Sequence, residues 1–433
     1  MNVPPPIDAR RRLPPAWTAF VRAPPLDDEA EAAARRILDD VRRRGDAAIV
    51  AWLRRLDGVA TAPSRFRVPP EAFAGARARV DAAFRRAARE TFRRVTRFAR
   101  AGLRADWRVP TPGGGFLGER YVPLRRVGVY VPGGVAPLAS TALMTVPLAA
   151  AAGVPEIAVC TPAGRDGRVN PHVLFALEVA GAREVYAIGG VPAIGAMAFG
   201  TRAVPRVDKI VGPGNRFVTA AKRQVFGRAA IEMVAGPSEI AILADDSPTP
   251  AQAAADLLSQ AEHGTGHERA LLVTTSMPLA RAVRRELLRA ADAPDASDAL
   301  RRVLRSRTRL VVAPDLETGA RLIDEFAPEH LELLARRPER LLPLIRCAGA
   351  VFLGPWTPES AGDFAAGPSH VLPTGGTARF FSGLTAEDFR RRTSVLRLSR
   401  RDLLDLLPVI EAFSRVEGLP AHARSARERL RRP

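Results

Sequence analysis

The sequence predicts an α/β protein with two doubly wound, Rossmann-like domains built on parallel sheets, plus small helical N- and C-terminal modules. The 433 residues are enough for two or more domains. Short apolar runs alternate with helical patterns over 127–244 and again after 249. From Gly383 onward the pattern becomes helical and strongly charged. We therefore assign 1–126 plus 239–382 to a first α/β domain, 127–238 to a second, and 383–433 to a C-terminal helical module.

The expected elements follow in chain order. Ile37, Leu38 and Val41 recur at helical spacing and predict an amphipathic helix over 28–58, and a second helix is expected over 70–100. Thr249 and Pro250 form a good start for a helix that runs to Ala261. The predicted strands are 127–131, 156–160, 184–188, 209–211, 240–243, 270–274, 308–312, 330–334 and 350–353. Helices are expected at 140–151, 171–180, 193–198 and 216–226.

One glycine pattern is misleading. Gly113, Gly115 and Gly118 match the G-x-G-x-x-G pattern of dinucleotide-binding proteins. That fingerprint needs a strand before it and a helix after it. Here a turn precedes the glycines, and the chain from Tyr121 toward 127–131 favours an extended conformation. We therefore interpret the segment as a loop or hairpin.

The charge of +19 raises the possibility of nucleic-acid binding. However, only two of the 65 basic residues are lysine, which indicates a whole-sequence bias toward arginine. No basic stripe interleaved with aromatic residues is visible, so we expect no nucleic-acid partner. Residues 1–6 lack the apolar region of a signal peptide, and prolines break the apolar stretch 143–159. Cys160 and Cys347 are expected to be buried thiols, which suit a reducing compartment. We therefore expect a cytoplasmic protein, and the broken apolar stretch predicts no membrane partner.

Four of the six histidines lie in segments dense in Gly, Pro and acidic residues. Gln260 and His263 are three residues apart at a helix end and share a face. The other segments are Glu329-His330, Asp363 with His370, and Glu417 with His422. Each feature alone is also explained by a helix cap or a surface turn. Together, imidazole, carboxylate and amide groups are the ligands of a divalent metal such as zinc, and they suit acid–base chemistry near neutral pH. The combination indicates a metalloenzyme.

Three Gly-Pro motifs follow strands or extended segments. They are 132–134, 212–215 and 236–239, and the 212–215 motif precedes a predicted helix. Glycine lets backbone N–H groups approach a ligand closely, and a helix N-terminus favours an anion. These loops are suited to a phosphate-bearing cofactor.

Taken together, these segments resemble the histidinol dehydrogenase family, over roughly 37–422. The resemblance rests on motifs in the same order, including 127–134, 207–215, 235–239, 259–264, 326–333 and 370–374. It implies oxidation of L-histidinol through L-histidinal to L-histidine with two NAD, in the last steps of histidine biosynthesis. It also implies a homodimer with shared active sites and one Zn²⁺ per subunit.

The same resemblance implies roles for individual residues. His330 would take the alcohol proton, and Glu329 would activate water at the aldehyde stage. The implied zinc ligands are Gln260, His263, Asp363 and His422, the last supplied by the partner subunit. The substrate-binding positions are Ser238, Gln260, His263, Glu329, His330, Asp363, His370, Glu417 and His422. Tyr130 and Asn215 match positions that contact NAD.

The chain departs from the family pattern in a few places. Val191-Pro192 stands where the family has Ala-Gln, and proline cannot replace the hydrogen bonds of that glutamine to the cofactor. Pro368 and Ser369 replace the usual Thr and Asn, and the connector 226–231 is short. The alternatives are a paralogous zinc- and NAD-dependent dehydrogenase of another small polar alcohol, and a zinc hydrolase with Glu329 as base. His370 and Glu417 favour histidinol.

Overall fold

The computed structural model describes residues 3–10, 13–22, 27–133 and 137–431. Their strands are β1 Ile7–Asp8, β2 Trp107–Pro110, β3 Phe116–Pro123, β4 Arg126–Tyr130, β5 Glu156–Thr161, β6 Glu184–Ala187, β7 Lys209–Val211, β8 Ala230–Ile231, β9 Glu239–Ala244, β10 Arg269–Thr274, β11 Thr308–Val312, β12 His330–Leu334, β13 Ala350–Leu353 and β14 Arg390–Arg397. Their α-helices are α1 Pro15–Val21, α2 Asp28–Arg44, α3 Asp46–Leu56, α4 Pro70–Arg79, α5 Ala82–Ala101, α6 Ala139–Ala151, α7 Pro171–Val179, α8 Gly190–Phe199, α9 Arg216–Val225, α10 Pro250–Ala261, α11 Met277–Asp292, α12 Asp298–Arg302, α13 Leu316–Phe326, α14 Glu359–Phe364, α15 Arg400–Val416 and α16 Pro420–Glu428.

Two parallel sheets organise the molecule, as predicted. The smaller sheet has the order β6-β5-β4-β7-β8, and the larger has the order β1-β11-β10-β9-β12-β13. In each sheet three successive strands are added in one direction. The next strand then pairs with the free side of the first of these three. The reversal falls between β4 and β7 in the smaller sheet and between β9 and β12 in the larger. In the smaller sheet, the crevice at the carboxyl ends of the strands beside this reversal is the usual place for a ligand.

The third sheet is antiparallel, with the order β14-β3-β2. Strands β2 and β3 confirm the hairpin interpretation of the glycine-rich segment. Strand β14, over 390–397, corrects the expectation that the C-terminal module is purely helical. This strand is stabilised by backbone pairing with β3 and is mostly exposed, so it has little apolar periodicity.

Two long predicted helices are each divided. The 28–58 helix ends at Gly45, whose φ of +57° stops α2 before α3 begins. The 70–100 helix breaks at Val80, because Asp81 starts a new helix and accepts the N–H of Phe84 at 2.9 Å. The other predicted strands and helices occur within a few residues of their expected bounds.

The N-terminal helices pack mainly on the smaller sheet. Helix α2 contacts α8 and α9, while α4 contacts α7 and α5 contacts α6. In contrast, β1 pairs with β11, and Trp17 and Phe20 join the core of the larger sheet. We therefore propose that 28–101 accompanies the smaller sheet, which differs from the grouping of 1–126 with 239–382 expected from sequence.

Two compositional expectations can be compared with the structure. Cys160 is buried as expected, whereas Cys347 is partly exposed, so the expectation of two buried thiols is wrong for Cys347. Among the residues described, no helix has both the length and the apolarity needed to cross a bilayer.

Candidate functional site

The centre of the candidate site is His330, the first residue of β12. Its Nδ1 lies 3.0 Å from Oε1 of Gln260, which belongs to the last turn of α10. Its Nε2 lies 3.5 Å from Oδ1 of Asp363, in α14. His330 is buried, as are Gln260 and the adjacent Glu329. The site therefore forms at the amino edge of the larger sheet, where the end of α10 meets the start of β12.

Glu329 is a buried carboxylate with few partners. One oxygen accepts the N–H of Glu239 at 3.1 Å and lies 3.8 Å from Nδ1 of His330. Burial raises the pKa of Glu329 to about 7, although the charge of His330 opposes this shift. The group can therefore hold or release a proton near neutral pH, as acid–base catalysis requires.

The surroundings of His330 favour its charged form, whereas those of Glu329 favour the neutral form. Burial alone would lower its pKa, but the charges of Glu329 and Asp363 outweigh burial and raise the pKa to about 9. In the other direction, contact with His330 keeps the pKa of Asp363 below its usual range despite burial of that carboxyl. His330 and the two carboxylates thus form one electrostatic unit.

The structure brings His263 and His370 to the edges of this cluster. Nδ1 of His263 lies 3.2 Å from Nε2 of Gln260, just beyond the end of α10. Nδ1 of His370 lies 3.1 Å from the carbonyl oxygen of Asp363, and its Nε2 lies 3.3 Å from Oγ1 of Thr141 in α6. Burial lowers the pKa of His370. Asp363 lies in the short helix α14, although its glycine-rich sequence alone favours a surface turn.

Glu359 is a site residue that sequence reasoning missed. It is buried at the first position of α14, one turn before Asp363, and its Oε2 accepts the hydroxyl of Ser259 at 2.9 Å. Burial raises its pKa. The available signal was the i, i+4 spacing of Glu359 and Asp363, which places both carboxylates on one helix face.

The side chains in this cluster fit a divalent cation. His330, Glu359 and Asp363 each offer a ligand atom, and these atoms lie within 4.8 Å of one another. Nε2 of His330 and Oε1 of Glu359 are buried and have no hydrogen-bond partner within the described ranges. Imidazole nitrogen, carboxylate oxygen and the nearby Gln260 amide are suitable zinc ligands. This group shares only Asp363 with the ligand set implied by the resemblance.

Two sequence-predicted residues are not brought to the cluster by this chain. Glu417 ends α15 and His422 lies in α16, and both are exposed. Within the described part of the chain, neither side chain hydrogen-bonds to the residues around His330. Ser238, just before β9, is closer, since its side chain interacts with the carboxylate of Glu329.

The candidate cofactor residues lie at the reversal of the smaller sheet. Tyr130 ends β4, and its hydroxyl accepts the N–H of Gly190 at 3.0 Å. Burial raises the pKa of Tyr130 to about 12, so it stays neutral. Asn215 follows β7 and caps α9, because its Oδ1 accepts the N–H groups of Phe217 and Val218. Within the described ranges its side-chain NH₂ donates no hydrogen bond, so it can donate one to a ligand. Gly134 of the 132–134 motif lies outside the described residues.

The departures from the family pattern are accommodated locally. Pro192 is the third residue of α8, where a backbone N–H has no intrahelical partner, so the helix tolerates proline. Ser369 is buried and donates its hydroxyl to the carbonyl of Met144 at 2.8 Å.

Three kinds of comparison with known proteins match nearly the whole chain to the same family. The histidinol dehydrogenase family profile matches residues 22–430. The histidinol dehydrogenase of Symbiobacterium thermophilum is 44% identical over 94% of this chain and 92% of its own length. That of Deinococcus radiodurans is 45% identical over 93% and 91%. The crystal structure of the histidinol dehydrogenase from Elizabethkingia anophelis superposes with a TM-score of 0.91 at 32% identity, covering 97% of this chain and 96% of that one. These matches do not favour a paralogue with another substrate. The chain belongs to the histidinol dehydrogenase family of NAD-linked oxidoreductases of histidine biosynthesis.

Proposed function

We propose that the chain oxidises L-histidinol through L-histidinal to L-histidine, with two NAD and one zinc ion per subunit. The observation that carries this proposal is the buried Glu329–His330 pair, held beside Gln260 and Asp363. We assign the metal to Gln260, His263 and Asp363 with His422 of the partner subunit, following the resemblance. Zinc, when bound, would hold nitrogen atoms of the substrate and offset the negative charge around His330. The substrate would also contact Ser238, His370 and Glu417.

His330 acts as the base of the first oxidation. Bound zinc would counter the carboxylates that raise the pKa of His330 to about 9, so the ring would be neutral in the zinc-loaded site. In that neutral ring Nδ1–H donates to the Gln260 carbonyl, which leaves the lone pair on Nε2. That nitrogen has no hydrogen-bond partner among the described groups and is free to take the alcohol proton. NAD, held near Tyr130 and Asn215, would accept the carbon-bound hydrogen with its electron pair as hydride.

Glu329 acts in the second oxidation. An aldehyde has no hydroxyl proton to lose, so water must add to its carbon before another hydride can leave. With a pKa of about 7, Glu329 is substantially ionised at neutral pH and can take a proton from that water. One water is consumed. The hydrate then loses one hydroxyl proton and a hydride, which a second NAD would accept, to give the carboxylic acid, and this acid releases a further proton to become the carboxylate.

We also propose that the active protein is a homodimer. Leu406, Val409, Phe413 and Val416 follow helical spacing along one face of α15 and are exposed, Phe413 at 63% and Val416 at 81%. Such a stripe is typical of a protein–protein interface. Because Glu417 and His422 lie at and beyond the end of this helix, a second copy bound there would bring the same C-terminal segment to its neighbour. A cytoplasmic location stays a prediction.

The first test is NADH formation by the zinc-loaded protein with L-histidinol. We expect two NADH for each histidinol consumed, and complete loss of turnover with a chelator. Absence of turnover by protein that binds both zinc and NAD would contradict histidinol as substrate. A panel of small amino and hydroxy alcohols would then identify the substrate.

A further inference from the structure

Lysine is nearly absent from this chain, and both examples are buried. Lys209 and Lys222 are the only lysines among 65 basic residues, and they are 8% and 3% exposed. Where arginine fills almost every basic position, a retained lysine indicates a place where the larger planar guanidinium does not fit. Lys222 lies in α9, beneath the loop that precedes that helix.

Lys222 and Glu232 form a buried ion pair that holds Gly212. The ammonium of Lys222 donates to the carbonyl oxygen of Gly212 at 2.9 Å and to Oε1 of Glu232. The same oxygen of Glu232 accepts the N–H of Gly212 at 2.8 Å. Both side chains of the pair are almost fully buried. The ion pair therefore holds both the N–H and the C=O of Gly212.

Gly212 occupies a position with little tolerance for movement. Its φ of +117° is one that other residues rarely adopt, and a Cβ there would lie 2.1 Å from the carbonyl oxygen of Tyr130. The residue directly follows β7 at the reversal of the smaller sheet and begins the loop that leads to Asn215. The pair thus sets the position of this loop relative to Tyr130.

We infer that Lys222 and Glu232 are positioning residues for NAD, since they hold the 212–215 loop in the conformation that receives the cofactor. This inference rests on the proposed NAD site. A loop fixed before binding loses less conformational freedom when the ligand arrives, so the pair contributes to cofactor affinity without touching the reacting atoms. A core ion pair with only a structural role would instead change overall stability and leave the Michaelis constant for NAD unchanged.

The test compares Lys222→Arg with Lys209→Arg. Lys209 is the matched control, because it is also buried but donates to the carbonyl of Asp388 and has no hydrogen bond to the loop. For Lys222→Arg we expect the KM for NAD to rise about tenfold, with kcat within about threefold of wild type and zinc content unchanged. Lys209→Arg should keep the wild-type KM.

Amide hydrogen exchange gives a second readout. Exchange at Gly212 and Asn215 should be faster in Lys222→Arg than in Lys209→Arg. If Lys222→Arg does not fold, the double variant Lys222→Met with Glu232→Gln removes both charges without leaving one buried alone, and the same changes are expected. If a folded Lys222 variant keeps the wild-type KM for NAD and the wild-type exchange rates, the positioning role of the pair is wrong and the proposed NAD site is unaffected. A wild-type protein that does not bind NAD would overturn the proposed NAD site as well.

Discussion

Replacing Glu329 with glutamine should separate the two oxidation steps. The substitution keeps the size of the side chain and leaves an oxygen to accept the N–H of Glu239, now 3.1 Å from the carboxylate. It removes the capacity to take a proton and the negative charge that raises the pKa of the neighbouring His330. Because His330 retains Gln260 as its Nδ1 partner, the first oxidation should stay within about threefold of wild type. The second should fall by roughly 10²–10⁴-fold, the usual contribution of a general base.

The same substitution should change stability with a defined pH dependence. Burial raises the pKa of Glu329 from 4.5 in the unfolded chain to about 7. Between these values the unfolded chain binds fewer protons than the folded one, so wild-type stability falls as pH rises from 4.5 to 7. The shift corresponds to about 3 kcal/mol. Glu329→Gln does not ionise, so it should be more stable than wild type at pH 8 and similar at pH 4.5.

The assay supplies L-histidinol and L-histidinal separately under single-turnover conditions. The variant should form one NADH from histidinol and accumulate the aldehyde, while wild type forms two. In wild type the second step should accelerate as pH rises through about 7, because Glu329 must be ionised. Equal loss of both steps in a folded variant would refute the assignment of Glu329 to water activation.

Three further predictions concern the metal, the dimer and the cofactor. His422→Ala should fold but lose zinc, and mixing it with His330→Ala subunits should restore activity in part, because a heterodimer keeps one intact site; no rescue in verified heterodimers would contradict shared sites. Removal of metal with a chelator should lower the melting temperature, since an ion that binds only the folded protein stabilises it, and zinc should restore it; an unchanged melting temperature would contradict a metal site in the folded protein. Pro192→Gln should lower the KM for NAD several-fold by restoring an amide that can bond to the cofactor; an unchanged KM would show that position 192 does not limit binding.

Most strands of the parallel sheets could be predicted from sequence because they form short apolar runs that are largely buried. Strands β11, β12 and β13 begin and end where the apolar runs predict. The antiparallel sheet could not be predicted in the same way. All four residues of β2 are exposed, and β14 carries four arginines, so neither strand shows buried-face alternation. Strand β14 is held by pairing with β3, more than 250 residues earlier in the chain, and no local pattern reports such a contact.

Those residues of the candidate site that lie close together in the sequence could be predicted. Gln260 and His263 share a helix end, and Glu329 and His330 are adjacent, so spacing alone groups each pair. Glu359 was missed because Gly362 favours a loop, whereas the chain forms α14 after Pro358. The proposed role of His422 depends on contact with a second subunit through the exposed face of α15, and local sequence patterns do not report contacts between subunits.

The site also depends on a connection between the two parallel sheets. Residues of the 363–370 segment contact α6, through His370 with Thr141 and through Ser369 with Met144. Helix α6 follows β4, the strand that ends at Tyr130. The proposed cofactor site and the catalytic pair are thus joined by packed elements, as hydride transfer between atoms about 3–3.5 Å apart requires. Substitutions on the two sides should differ in kinetics: a displaced 212–215 loop should weaken NAD binding with little change in kcat, whereas a changed Glu329 should lower kcat for aldehyde oxidation without affecting NAD binding.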